Sequence, residues 1–278
     1  MTQRTGTTGS IRRVAATGAA LLTATVLLAG CAAPDKNSAG STPPVPSTSP
    51  SPEPKTTLLA AVPDDNDPRF RFTHSGGADK ISGVVDPAAK ATELTFSQRS
   101  TDPAFTMNMS MRVIDDRVWM RVKLTGIDGL HEAMKLPKRW MKLDPSKIKD
   151  EADNLVYEGA DPGNTGVLIE NASTVQDKGA GTYTGFIDLT ASDQATQAVD
   201  DVDVAALGPA AKQVPFTAVV GADGNLGSLT LKIPAAGKEK ARTVVTRYYD
   251  FGKAPNLTAP SGDQVQTAPA SAYELLNG

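Results

Sequence analysis

Apolar and polar residues alternate strictly from Phe105 to Val113. Phe105, Met107, Met109, Met111 and Val113 fall on one side, and Thr106, Asn108, Ser110 and Arg112 on the other. A period of two belongs to a β-strand with one buried face. After Asp115-Asp116 the pattern resumes, with Val118, Met120, Val122 and Leu124 facing one way and Trp119, Arg121 and Lys123 the other. The spacing predicts an antiparallel hairpin. A second hairpin is predicted over residues 216–221 and 226–233. Its loop carries Asp223-Gly224, which suits a type I′ turn because both central residues then take positive φ.

Further strand patterns cover residues 69–75, 80–86, 91–98, 139–143, 173–177, 183–189 and 243–249, which makes about eleven strands in all. Two stretches break the alternation. Residues 161–171 contain Gly166-Val167-Leu168-Ile169, the pattern of a short helix. Residues 201–213 place Val202, Val204, Leu207 and Ala211 at helical spacing, with Asp200 or Asp201 positioned to cap the start. Gly208-Pro209 must interrupt that helix. The fold class expected is α+β, a large antiparallel sheet with a few helices against one face.

The N-terminal region is organised differently. Arg4, Arg12 and Arg13 precede an apolar run of about sixteen residues that ends in Leu28-Ala29-Gly30-Cys31. This is a charged n-region, an apolar h-region and a small-residue cleavage site. The run is shorter than the roughly twenty apolar residues of a membrane-spanning helix. Cys31 is the only cysteine, so it has no intramolecular disulfide partner, and it stands where a bacterial lipobox places its acylated residue. Two or three acyl chains, palmitate-like in length, hold a protein on a membrane where one chain does so only marginally. Export by the general or the twin-arginine route stays open, since Ser10 lies one place too far from Arg12-Arg13 for the latter.

Residues 31–56 are read as a tether, with seven prolines between Ala32 and Lys55 among Ser, Thr and Ala. Such composition cannot bury a core. Its ~24 residues would span roughly 75 Å as polyproline II and roughly 27 Å as a flexible coil. The expected organisation is a signal peptide over 1–30, the lipidated tether over 31–56, a folded domain over 57–266 and a tail over 267–278. The tail's Tyr273, Leu275 and Leu276 either cap an opening or hang free.

Without residues 1–30 the chain carries 25 basic and 31 acidic side chains, a net charge of −6. That balance argues against a nucleic-acid partner. Candidate chemistry is sparse. His131-Glu132 opens like a zinc-protease motif, but Lys135 stands where the second histidine belongs. There is no Gly-x-Ser-x-Gly elbow and no Ser-x-x-Lys pair. Asp64-Asp65-Asn66-Asp67 lacks the glycine and distant glutamate of a calcium loop. Gly179-Ala180-Gly181 does not open a helix. The expectation is a non-enzyme with no metal and no cofactor beyond lipid on Cys31.

Several features occur together: the lipobox, the Pro/Ser tether, and Trp140-Met141-Lys142-Leu143-Asp144-Pro145-Ser146. A late block adds Tyr183-Thr184-Gly185, Val214-Pro215-Phe216, Asp223-Gly224-Asn225-Leu226, Tyr249-Asp250-Phe251-Gly252 and Ala259-Pro260. In these the chain resembles the actinobacterial LppX/LprG-type lipoproteins, relatives of the LolA/LolB lipoprotein carriers, over about residues 57–266. The resemblance implies a strongly curved antiparallel sheet, a half-barrel, with helices over its concave face. It also implies an acylated lipid or glycolipid held between them, on the outer face of the cytoplasmic membrane. An envelope transporter or protein partner would stay unidentified. The chain departs from that family where Pro63 and residues 64–67 cut short the opening helix.

Two groups bear on such a site. Met107, Met109, Met111, Val118, Met120 and Val122 are candidate cavity-lining residues, since methionine adapts to variable apolar ligands. The same pattern also fits an ordinary packed core. Residues 117–149 hold nine Lys/Arg against three acids. Of these, Arg121, Lys123, Lys138 and Arg139 are candidates to face lipid headgroups or the membrane, or else form a solvated face. The alternative to a carrier is a non-catalytic envelope interaction or sensor module with a filled core.

Overall fold

The computed structural model describes residues 53–77, 80–149, 156–199 and 202–277. The signal segment, Cys31, most of the tether, and the capping candidates Asp200 and Asp201 lie outside them. Twelve strands form one open, curved, mostly antiparallel sheet in an α+β fold. The first six are β1 (Phe70–Ser75), β2 (Lys80–Asp86), β3 (Ala91–Thr101), β4 (Ala104–Ile114), β5 (Arg117–Thr125) and β6 (Trp140–Lys142). The others are β7 (Ala172–Asp177), β8 (Thr182–Ile187), β9 (Val214–Val220), β10 (Leu226–Ile233), β11 (Arg242–Tyr249) and β12 (Val265–Thr267). Among the described residues six short α-helices accompany them: α1 (Pro54–Leu59), α2 (Leu130–Ala133), α3 (Thr165–Glu170), α4 (Asp193–Gln197), α5 (Val204–Leu207) and α6 (Ala270–Asn277).

The strand order is β12-β6-β5-β4-β3-β2-β1-β11-β10-β9-β8-β7. The chain runs outward from β1 to β6 as a meander. It then crosses to the far edge and returns from β7 to β11. Pairing of β1 with β11, with Phe72 opposite Tyr248, joins the two meanders. Only β12 against β6 is parallel.

Alternation decides the faces. One face carries Phe70 and Phe72 of β1, Val244 and Tyr248 of β11, and Leu229 and Leu231 of β10, all buried. These join α1, α3 and α5 in one large cluster that contains no methionine. Further along the same face, Met111, Val118, Met120 and Val122 form a second cluster with Met141, Leu143 and α6. Gly83 sits opposite Phe72. A β-carbon there would lie 2.5 Å from the Phe72 ring, so only glycine lets that ring cross β2. On the other face, Trp119 and Trp140 are buried under Ala254 and Leu257. The sequence pattern had placed Trp119 on a polar side. The chain beyond β11 covers it there, and Arg112 stacks 4.6 Å over Trp140 while binding Glu93.

Several boundaries differ from expectation. Lys55 Nζ donates to Glu170 O at 2.7 Å and Leu58 is fully buried, so residues 54–56 belong to the folded unit rather than the tether. The interrupted helix is capped by Asp203, whose carboxylate accepts the Ala206 N–H at 3.0 Å. It stops at Gly208 as the Gly-Pro pair requires. The 222–225 loop is not type I′, because among its residues only Gly224 takes positive φ, at 85°. Asp223 Oδ1 accepts the Asn225 N–H in an Asx-type contact. The surplus residue appears as a register shift between Leu226 and Ser228. Residues 267–277, whose docking the sequence left open, pack on the folded unit. Thr267 ends β12, and α6 buries Ala272 completely. β12 carries three residues, too few to show a period.

Candidate functional site

Between the two clusters the covered face is incompletely filled. A cavity of about 460 Å³ lies there, bounded by the sheet, by α3 and the residues after α4, and by residues 156–164. Its sheet wall includes Phe72, Ile81, Leu94, Phe96, Leu231 and Val244. Ile81, Leu94 and Phe96 remain only half-buried although they face the covered side, because this space adjoins them. Thr92, His74 and Thr246 interrupt the apolar wall, and Glu158, Asp161, Gln197 and Arg242 also border it. His74 Nδ1 lies 3.0 Å from Thr246 Oγ1. The lining is amphiphilic, and its volume falls within the roughly 300–1,000 Å³ usual for small-molecule sites.

A buried polar anchor holds the cover in place. Asp161 accepts the Gly166 N–H at 2.8 Å and the Thr165 hydroxyl at 3.0 Å, which satisfies the start of α3. It also accepts the hydroxyl of Tyr248, from β11. Burial first, and then the Asp161 charge, push the Tyr248 phenol well above its ordinary range. Tyr248 therefore remains a neutral donor at any workable pH. Gly163 packs against this hydroxyl, where a β-carbon would lie 2.8 Å from it. Tyr248→Phe removes one hydrogen bond to a carboxylate and is expected to cost about 1.5–3 kcal/mol in urea unfolding. Equal stability of the two proteins would refute the anchor.

The methionine candidates lie elsewhere. Met107, Met109, Met111, Val118, Met120 and Val122 pack in the second cluster, and none lines the cavity. The nearest are one strand away, since Leu94 pairs with Met111 and Phe96 with Met109. Residues of α6 pack in the same cluster. The cations are also separate from the cavity. Arg121, Lys123 and Lys138 border a depression of about 560 Å³ that also meets Asn108 and Ser110, on the opposite face of β4. Arg139 borders the neighbouring one. Arg121 lies 4.5 Å over the Trp140 ring, and Lys138 lies 3.3 Å from Glu132. None of the four lines the 460 Å³ cavity.

His131 has a structural position. Its Nε2 accepts the Leu124 N–H at 3.1 Å and its Nδ1 donates to Leu136 O at 3.2 Å, with the ring buried. His131→Leu would leave two buried backbone groups unpaired, at about 1–3 kcal/mol each. A lowered melting temperature is expected, and an unchanged one would contradict that role. The 64–67 carboxylates are engaged within the turn and by Tyr157. Asp64 accepts the Asn66 N–H, Asp67 accepts the Asp64 N–H, and Asp65 accepts the Tyr157 hydroxyl. Among the described residues no group of three or more His, Cys, Asp or Glu is arranged to hold a metal ion.

No sequence motif marks the cavity residues as a group. Leu94 and Phe96 do carry the period-two signal, flanked by Glu93, Thr95 and Ser97. Asp161 and Tyr248 stand 87 positions apart, and no local pattern links them. No family model and no curated protein matches this chain.

Proposed function

We propose that this protein is a membrane-anchored envelope lipoprotein that binds, and passes on, an acylated lipid or glycolipid. The observation that carries the reading is the 460 Å³ amphiphilic cavity between the sheet and its helical cover. Acyl chains would lie against Phe72, Ile81, Leu94 and Phe96, with the polar part of the ligand toward Glu158, Gln197 and Arg242. In this reading the sheet is a half-barrel of the LppX/LprG type with the cavity on its concave side, and the Cys31 anchor and tether keep it near the bilayer. No catalytic step is assigned. The Arg121–Arg139 cations would face the membrane surface rather than the ligand.

The filled methionine cluster favours a second reading, an interaction or sensor module that carries no lipid. Residues 50–278 form one compact unit. This unit, expressed in an actinobacterial host and purified without detergent, would be weighed by native mass spectrometry and then extracted with solvent. Stoichiometric acylated lipid is the expected result. A clean protein mass, with no uptake on later incubation with lipid, would favour the second reading.

A further inference from the structure

All six methionines beyond Met1 meet in one place. Met111, Met120 and Met141 are buried in the second cluster, and Met107, Met109 and Met134 pack against it. The larger cluster beside it has none. Branched side chains fix one packing arrangement, whereas unbranched thioethers adapt to whatever lies against them. What lies against them is α6, through Ala272, Tyr273, Leu275 and Leu276.

This methionine floor continues the cavity wall. Leu94 and Phe96 line the cavity and pair directly with Met111 and Met109. Val113 belongs to both, lining the cavity and packing in the methionine cluster. The geometry points to a second acyl-chain site, contiguous with the first, that α6 occupies and an apolar ligand can take from it. The inference rests on the lipid-binding reading and extends it to the size of ligand held.

α6 is suited to leave. A helix of eight residues is well below the ~12–15 needed for stability alone in water, so it is helical only while docked. Its polar contacts are few and at the surface. The Ser271 hydroxyl donates to Lys135 O at 2.8 Å, and Tyr273 OH accepts the Asp144 N–H at 2.9 Å. The Asn277 amide bridges Lys149 N and Lys147 O. Among the described residues no ion pair joins α6 to the sheet. Such elements open locally at lower cost than core strands.

The test compares residues 50–278 with a form ending at Ala268, and with Ala272→Glu, whose buried carboxylate would expel the helix. Each is titrated with lysophosphatidylglycerol and weighed by native mass spectrometry, with circular dichroism to establish folding. The intact unit is expected to take its second equivalent only near saturating lipid, and the two variants to take it at a concentration at least tenfold lower. Folded variants that hold one equivalent overturn this inference and leave the lipid-binding reading standing. Variants that bind lipid while the intact unit binds none would support the inference and sink the 460 Å³ cavity as the primary site. If neither variant folds, hydrogen exchange on the intact unit decides. Saturating lipid should lower protection of amides 270–277 at least tenfold, and unchanged protection overturns the proposal.

Discussion

Met120→Arg is expected to abolish cooperative folding of residues 50–278. Met120 is fully buried, lies between Met111 on β4 and Met141 on β6, and has no carboxylate in its cluster to pair with a guanidinium. An unpaired buried charge costs roughly 3–5 kcal/mol, a large share of the ~5–15 kcal/mol that hold a typical domain together. Met109→Arg should be milder, because Met109 is half-buried and a long side chain can carry its charge outward. Chemical denaturation with tryptophan fluorescence reports both, since Trp119 and Trp140 are buried under the opposite face. A folded Met120→Arg protein would mean that the methionine floor is already open.

Ala198→Trp should have the opposite character, with little effect on folding and a large effect on binding. Ala198 is half-buried after α4 and borders the cavity, so an indole there has space to enter. Lipid content is expected to fall at least tenfold, a change worth about 1.4 kcal/mol. Thermal unfolding should stay close to that of the parent. Retained lipid in a folded Ala198→Trp protein would remove this cavity from consideration.

Much of the sheet was legible because its faces obey period two. The β4–β5 hairpin forms as its alternation predicted, and its register sets Met111 opposite Met120 and Val113 opposite Val118. The helix with Val204 and Leu207 and its break at Gly208-Pro209 also followed from spacing and proline chemistry. What alternation cannot tell is what covers a face. Met109 and Leu94 face the same side of the sheet, yet α6 packs over one region while the other borders empty volume. That difference is set by which distant segment arrives, and α6 lies some 160 residues from β4 in sequence. The same holds for Trp119, whose polar-side position became buried once residues 254–257 crossed it. Arg121, Lys123, Lys138 and Arg139 are exposed, and charge alone does not say which face of the sheet a cation lies on.

The seam between β1 and β11 also bears on how the chain reaches this state. It pairs residues about 175 positions apart, as Phe72 with Tyr248. Closing so long a loop must precede any return from the contacts it makes, and sheets that depend on distant pairings fold slowly. Each meander has near-neighbour pairings of its own and can assemble first. During synthesis, β1 is therefore complete long before its partner arrives. Until β11 does, one side of β1 is a bare edge carrying Phe70 and Phe72, open to pairing with another copy. The yield of folded protein should depend on keeping that edge apart from its neighbours during the interval.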